Sequence, residues 1–424
     1  MRTSTVGLAA TCLSAALLAA CGGSSGLSSS TPISVAPQIA APPSAAVGSA
    51  SQRLGPLFAR QPLAPGTEQV LYSFKGGSGD GANPEARLIN VKGTLYGTTE
   101  GGGGTNCDSG LGCGTVFAIT TSGKESVLHS FGGSGDGTNP IVGLINVKGT
   151  LYGTTLYGGV SGGGTVFAIT TAGTESVLHS FGGSGDGTNP AASLINVNGT
   201  LYGTTLEGGV SGGGTVFAIT TSGTESVLHS FGGSGDGKYP EASLRNVKGT
   251  LYGTTEGGGA NGDGTVFVIT PSRTETVLYS FKGGSGDGKY PYRNLTNAKG
   301  TLYSTTGGGG ANGGGTVFAI TTSGKETVLH SFGGSGDGQS PLADLRKVKG
   351  TLYGTTFFGG VSGDGTVFAI TTSGKETVLH SFGGFGDGIY PEASLINVNK
   401  GTLYYGTTYG GGAYGYGTVF SLTL

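Results

Sequence analysis

Five histidines, at 129, 179, 229, 330 and 380, occupy one position in five copies of the run V-L-H-S-F, and an aspartate follows each at fixed spacing. Imidazoles and carboxylates are the stuff of zinc sites and of general acid–base pairs. The pattern argues against both. Tyr72 and Tyr279 fill the histidine position in two further copies, and tyrosine replaces a zinc-bound imidazole poorly. Asp136 and its counterparts Asp80, Asp186, Asp236, Asp287, Asp337 and Asp387 come one per copy, too far apart to work as a pair across one bond. Calcium takes about six to eight oxygens, and one Asp per loop supplies too few. The histidines are therefore expected to pack as aromatic residues and the aspartates to hold turns, where Asp bonds nearby backbone amides. No metal and no other cofactor is expected, the alternative being a structural calcium whose remaining ligands are backbone carbonyls.

Two G-x-S-x-G matches, at 159–163 and 209–213, lie in glycine-rich stretches between strand-like runs, whereas a nucleophile elbow needs a strand-to-helix turn with His and acid partners. No glycine run carries the Lys-Ser/Thr and following helix of a phosphate loop. A net charge of −2 with scattered lysines excludes a strong nucleic-acid footprint. The sequence assigns no catalytic residue. Cys107 and Cys113, with five residues between them in a glycine-rich loop, are expected to form a disulfide in an exported protein, since that loop holds no further Cys or His for zinc.

The elements that carry these residues repeat. V-L-Y/H-S-F begins at Val70, Val127, Val177, Val227, Val277, Val328 and Val378, a period of about 50 residues broken once by the cysteine-bearing insertion. Such a period marks a solenoid, propeller or array. Within residues 144–181, L-I-N-V, T-L-Y-G-T-T, G-T-V-F-A-I-T and E-S-V-L-H-S-F read as four short strands, A to D, separated by turn chemistry. No stretch has helical periodicity, and 92 glycines disfavour long helices. The prediction is an all-β, seven-bladed β-propeller of four-stranded antiparallel blades. The first copy opens on a D strand near Glu68 and the chain ends on a C strand, so the N-terminal strand should complete the last blade and close the ring.

Ahead of the repeats, one early Arg2 and an uncharged run over 6–20 read as an export signal too short to span a bilayer. L-A-A-C at 18–21 resembles the lipobox of bacterial lipoproteins, which implies cleavage before Cys21 and lipidation of that residue. Residues 21–66, rich in Ser, Ala, Pro and Gly, read as a tether, leaving 67–424 for the propeller. Gly22, where some bacteria read Asp as a retention signal, points to the outer membrane or cell surface. The repeat itself, L-Y-G-T-T…G-T-V-F with S-F-x-G-x-D-G-x-x-P, resembles the Gloeo/Verruco-type (GloVer) tandem repeat over all seven copies, which implies a secreted or surface-anchored bacterial protein and leaves its activity open.

The copies differ mainly in the D-to-A connection and the B-to-C loop, which antiparallel strands must place on one face of the disc. That face is the expected ligand surface. In the D-to-A connections it offers Lys238, Tyr239, Glu241, Tyr290, Tyr292, Arg293 and Tyr390. The B-to-C loops add Tyr157, Glu207, Phe357, Phe358, Tyr409, Tyr414 and Tyr416. Exposed aromatics with a few polar groups suit a glycan or a surface protein. A monomer is expected, touching a membrane through its lipid alone. The competing readings are a hydrolase or lyase on extracellular polysaccharide and a purely structural envelope protein.

Overall fold

The computed structural model describes residues 66–104, 107, 110–398 and 401–424. The expected leader, Cys21 and nearly all of the tether lie outside them. The described residues form seven four-stranded antiparallel sheets in a ring, and no helix. In the second blade the order from axis to rim is Ile145–Val147, Thr150–Thr155, Thr165–Thr170 and Glu175–Ser180, the four strands A to D.

The strands are buried on both faces, and their alternation sorts side chains between two neighbours. In strand C of that blade Phe167 and Ile169 enter the core shared with the first blade, while Val166 and Ala168 enter the core shared with the third. The hydrophobic core is thus seven separate clusters, one at each junction between blades. Each holds an edge-to-face phenylalanine pair, such as Phe131 on Phe167 at 5.1 Å. The ring of Phe167 explains the glycine of T-L-Y-G-T-T: a Cβ on Gly153 would stand 2.6 Å from its Cζ.

Near the axis the junctions are tied by hydroxyls. A buried strand-B threonine donates to a carbonyl of the next blade at every junction, as in Thr98 Oγ1 to Val142 O at 3.0 Å and Thr355 Oγ1 to Pro391 O at 3.0 Å. Closure uses the same parts. Glu68–Ser73 pairs antiparallel with Thr418–Thr423, Phe74 packs on Phe117 at 5.1 Å, and Thr407 Oγ1 donates to Ala86 O at 3.2 Å. The seam is chemically like the other junctions.

Candidate functional site

The two varied segments are bound to each other. In every blade two residues of the D-to-A connection pair with two of the B-to-C loop as a short antiparallel ribbon, for example Gly137–Thr138 with Tyr157–Gly158. Glu207 pairs with Thr188, Lys238 with Gly257 and Phe358 with Gln339 in the same way. Both segments therefore share one face, but as a framework rather than as free loops. The residue before the constant proline sits in the left-handed region, with φ of 60°, 60° and 59° at Tyr239, Tyr290 and Tyr390. In other copies Asn139 or Asn189 takes this place and donates its side-chain amide to a carbonyl. Tyrosine has no such local compensation, and left-handed backbone costs it about 1–2 kcal/mol. Tyr390 instead stacks on Phe357 at 4.9 Å and meets Phe358 edge-on at 5.5 Å, and Tyr290 lies 6.3 Å from Tyr292 with Lys289 Nζ 5.0 Å from its centroid. Tyr239, Tyr414 and Tyr416 are exposed.

The three residues after the proline turn inward and line the axis, enclosing a cavity of about 50 Å³. The middle of the three is Ala or Val in six blades and Arg293 in the fifth. Arg293 Nη2 donates to Glu392 Oε1 of the seventh blade at 2.9 Å. Asn294, next in the chain, receives the backbone N–H of Ser243 and gives two bonds to Asp344, from its own N–H at 3.0 Å and from Nδ2 at 2.6 Å. Ser304, standing where the six other blades have the strand-B glycine, donates to Arg293 O at 2.9 Å. The fifth blade thus supplies Arg293 and its supports, and the sixth and seventh supply Asp344 and Glu392.

Carboxylates crowd this mouth. Burial, then Glu392 and Glu100, hold the Glu85 carboxyl well above its usual range against the pull of Arg293. Burial raises Glu241 to about 7, with Arg293 opposing and Glu256 and Glu392 adding to the rise. Glu100, Glu256 and Glu392 are also raised, chiefly by burial. The phenols of Tyr292 and Tyr409 are pushed up by burial and by these carboxylates, and Tyr409 Oη stands 3.5 Å from Glu100 Oε2. Glu241 Oε2, Arg293 Nε and Arg87 Nε are buried with no hydrogen-bond partner. Such an arrangement can hold a proton near neutrality and can bond a polar ligand from several sides.

Of the residues singled out from sequence, Glu241, Tyr292, Arg293 and Tyr409 meet here, whereas Tyr157, Glu207, Lys238, Phe357 and Phe358 sit on the ribbons or beside them. Glu85, Glu100, Glu256, Asp344 and Glu392 were not singled out. Register against the constant proline carries the missing signal, because Glu85, Glu241 and Glu392 all follow it directly.

At the rim, each aspartate bonds both ways. Asp136 Oδ1 accepts the N–H of Gly137 at 2.7 Å, and Oδ2 lies 3.1 Å from His129 Nε2; the other four histidines are placed alike. The imidazole edges also pack on the phenylalanine two residues on, His129 on Phe131 at 4.7 Å. Tyr72 and Tyr279 donate to Asp80 and Asp287 at 2.8 Å, in the two copies whose turns are one residue longer. The added Lys75 and Lys282 give their N–H to the same carboxylate oxygen, at 2.9 and 2.8 Å. Histidine and tyrosine thus serve the same aspartate. Cys107 and Cys113 are joined, with Cα atoms 5.2 Å apart. Ser161 and Ser211 lie in loops between antiparallel strands, without the strand-to-helix turn of a nucleophile elbow.

The Gloeobacter/Verrucomicrobia repeat model matches residues 104–311 and 294–424, the greater part of the ring. The chain belongs to this family. No curated protein matches this Gloeobacter/Verrucomicrobia repeat chain. Among solved structures it is similar to a streptogramin B lyase, with TM-score 0.56 at 13% identity over 84% of this chain and 97% of that one. Selenomethionine-substituted virginiamycin B lyase from Staphylococcus aureus gives 0.54 at 14% identity over 84% and 100%. A catalytically inactive variant of that lyase with quinupristin gives 0.53 at 13% over the same shares. At such identity the likeness is one of fold.

Proposed function

We propose that this repeat protein is an envelope-anchored binding module that takes a glycan on the varied face, at the mouth of the axis. The observation that carries the reading is the break in sevenfold symmetry. Six blades offer Ala or Val to the axis and one offers Arg293, set between Glu392, Asn294 and Asp344. Duplicated blades have no packing need for an arginine at that middle position, and Arg87 of the first blade adds a second guanidinium to the lining. Guanidinium, carboxylate and carboxamide groups are hydroxyl ligands, and Tyr292 with the Phe357, Phe358 and Tyr390 group gives ring faces for sugar stacking. The export signal and Cys21 support display at a bacterial outer membrane or surface. A glycan array probed with the lipid-free protein tests this: a captured glycan is expected, and Arg293→Ala should lose it. Capture of surface proteins without any glycan would replace the glycan by a protein ligand.

A second reading rests on Glu241. A carboxyl held near neutrality beside a guanidinium can serve as a general acid, so a polysaccharide hydrolase or lyase is the competing class. Release of shorter chains from a captured glycan, lost in Glu241→Gln while capture persists, would establish it.

A further inference from the structure

Every outer strand begins with a glutamate, and in all seven blades one of its carboxylate oxygens is buried with no hydrogen-bond partner. This glutamate faces the rim aspartate of the preceding blade. Glu175 of the second blade shows the arrangement: one ligand atom each from Glu175, His129 and Asp136 lie within 4.8 Å of one another. Glu225, Glu275 and Glu376 meet His–Asp pairs in the same way. Along the chain, tyrosine at two histidine positions argued against zinc. What that reading lacked is the third ligand, which comes from the next blade.

We infer that these four junctions are sites for a divalent transition-metal ion, each holding one ion through imidazole Nε2, an aspartate oxygen and the unpartnered glutamate oxygen. His129 Nε2 and Asp136 Oδ2 stand 3.1 Å apart. Two ligand atoms so spaced, each about 2.0–2.2 Å from an ion, subtend roughly a right angle at it. A tetrahedral ion at those lengths sets its ligand atoms about 3.4 Å apart, so a glutamate oxygen within 4.8 Å of the other two has to close by up to about 1.4 Å, which side-chain rotation can supply. One nitrogen with two carboxylate oxygens suits zinc and its neighbours, while the imidazole disfavours calcium and magnesium.

Two further features fit. The N–H of Gly137 on Asp136 Oδ1 fixes the carboxylate, as outer partners of metal ligands do. The ion would also give the orphaned glutamate oxygen the partner that a buried acceptor otherwise lacks. The histidine side chains are 22–23% exposed at these junctions, so ions can enter from solvent. The chain carries its own controls. At Glu125 and Glu326 the partner is a phenol that donates to the aspartate, and Glu68 forms no such three-atom group with His380 and Asp387 among the described residues. The rim sites are separate from the axial mouth and do not depend on its reading.

The test is equilibrium dialysis of the chelator-stripped, tag-free full-length protein against micromolar Zn²⁺, with bound metal measured by mass spectrometry. About four equivalents are expected from the four groups, and Glu175→Gln should lose one of them. The combined Glu175→Gln, Glu225→Gln, Glu275→Gln and Glu376→Gln variant should bind none while keeping the circular dichroism of the parent. Glu125→Gln with Glu326→Gln should leave the stoichiometry unchanged. Co²⁺ in place of Zn²⁺ should give a visible absorption band that the combined variant lacks. Failure of the parent to bind one equivalent, or full binding by the combined variant, overturns the inference.

Discussion

Arg293 Nη2 lies 2.9 Å from Glu392 Oε1, joining the fifth blade to the seventh across the mouth of the axis. Glu85 and Glu241 also add to the field that keeps this guanidinium charged despite burial.

Arg293→Ala should therefore cost more than the loss of one ion pair. Removing the guanidinium that is paired with Glu392 leaves that carboxylate without its partner, with Arg87 the remaining cation in the lining, and breaking such a pair costs up to about 3–5 kcal/mol when it is fully buried. With side chains 24% and 16% exposed, solvent screens part of this, and a loss of about 1–3 kcal/mol in urea unfolding at pH 8 is expected. At pH 5 Glu241, raised to about 7, is protonated, and part of the loss should vanish. An equal loss at both pH values would mean that packing, not charge, is what Arg293 supplies.

Closure makes the seam between last and first blades as costly to damage as an interior junction. Phe74 and Phe231 are both fully buried, each against the strand-C phenylalanine of the next blade. Phe74→Ala and Phe231→Ala should each destabilise by about 3–5 kcal/mol. A much smaller effect at Phe74 would show that the ring opens at the seam in solution.

Stability should decline as the solution turns alkaline, and the two tyrosine junctions allow this to be read without metal ligands. Burial, then the charge of Asp80, raises Glu125 to about 7; burial and Asp287 do the same to Glu326; burial and Asp387 raise Glu68 to about 8. Unfolded, these carboxyls titrate near 4.5. The folded state thus holds protons that the unfolded state has released, so stability is highest below about pH 4.5 for these groups and is lost as pH rises through 7 to 8. Unfolding midpoints of the chelator-treated protein from pH 5 to 9 should show the slope, and Glu125→Gln with Glu326→Gln should flatten it. A midpoint that rises over this range in the parent would reverse the assignment.

How much of this was legible in sequence depends on whether a feature repeats locally or is assembled by closure. The strands, the closing role of Glu68–Ser73 and the single varied face follow from alternation, turn residues and a period near 50. The axial site does not. Glu85, Glu241, Arg293 and Glu392 are spread over some 300 residues, and only bending seven blades into a ring sets them side by side. The same holds for Glu175 against His129, which meet because the start of one outer strand lies against the end of the previous one. The partnership of His129 with Asp136 was readable, however. Tyr72 and Tyr279 occur in just the two turns that gain a lysine, the mark of a longer donor reaching the same acceptor.

The fourth blade differs from the rest at its C-to-D turn, and the difference is open to test. Six junctions place a glycine two residues before the outer-strand glutamate, with so little room that a Cβ on Gly173 would stand 2.7 Å from Leu128 O of the preceding blade. The fourth blade has Arg273 there, at φ 63°. A side chain at this point meets the preceding blade and holds left-handed backbone at a cost of about 1–2 kcal/mol. Between the third and fourth blades lies a cavity of about 400 Å³ lined by Tyr202, Leu228, Ile269, Pro271 and Arg273. Arg273→Gly restores the residue used at the other junctions. Allowing for the greater freedom of glycine in the unfolded chain, it should stabilise the protein by about 0.5–1 kcal/mol. Closer packing should also slow exchange of the Leu228 amide with deuterium. Loss of stability instead would mean that Arg273 makes a contact worth more than the strain it carries.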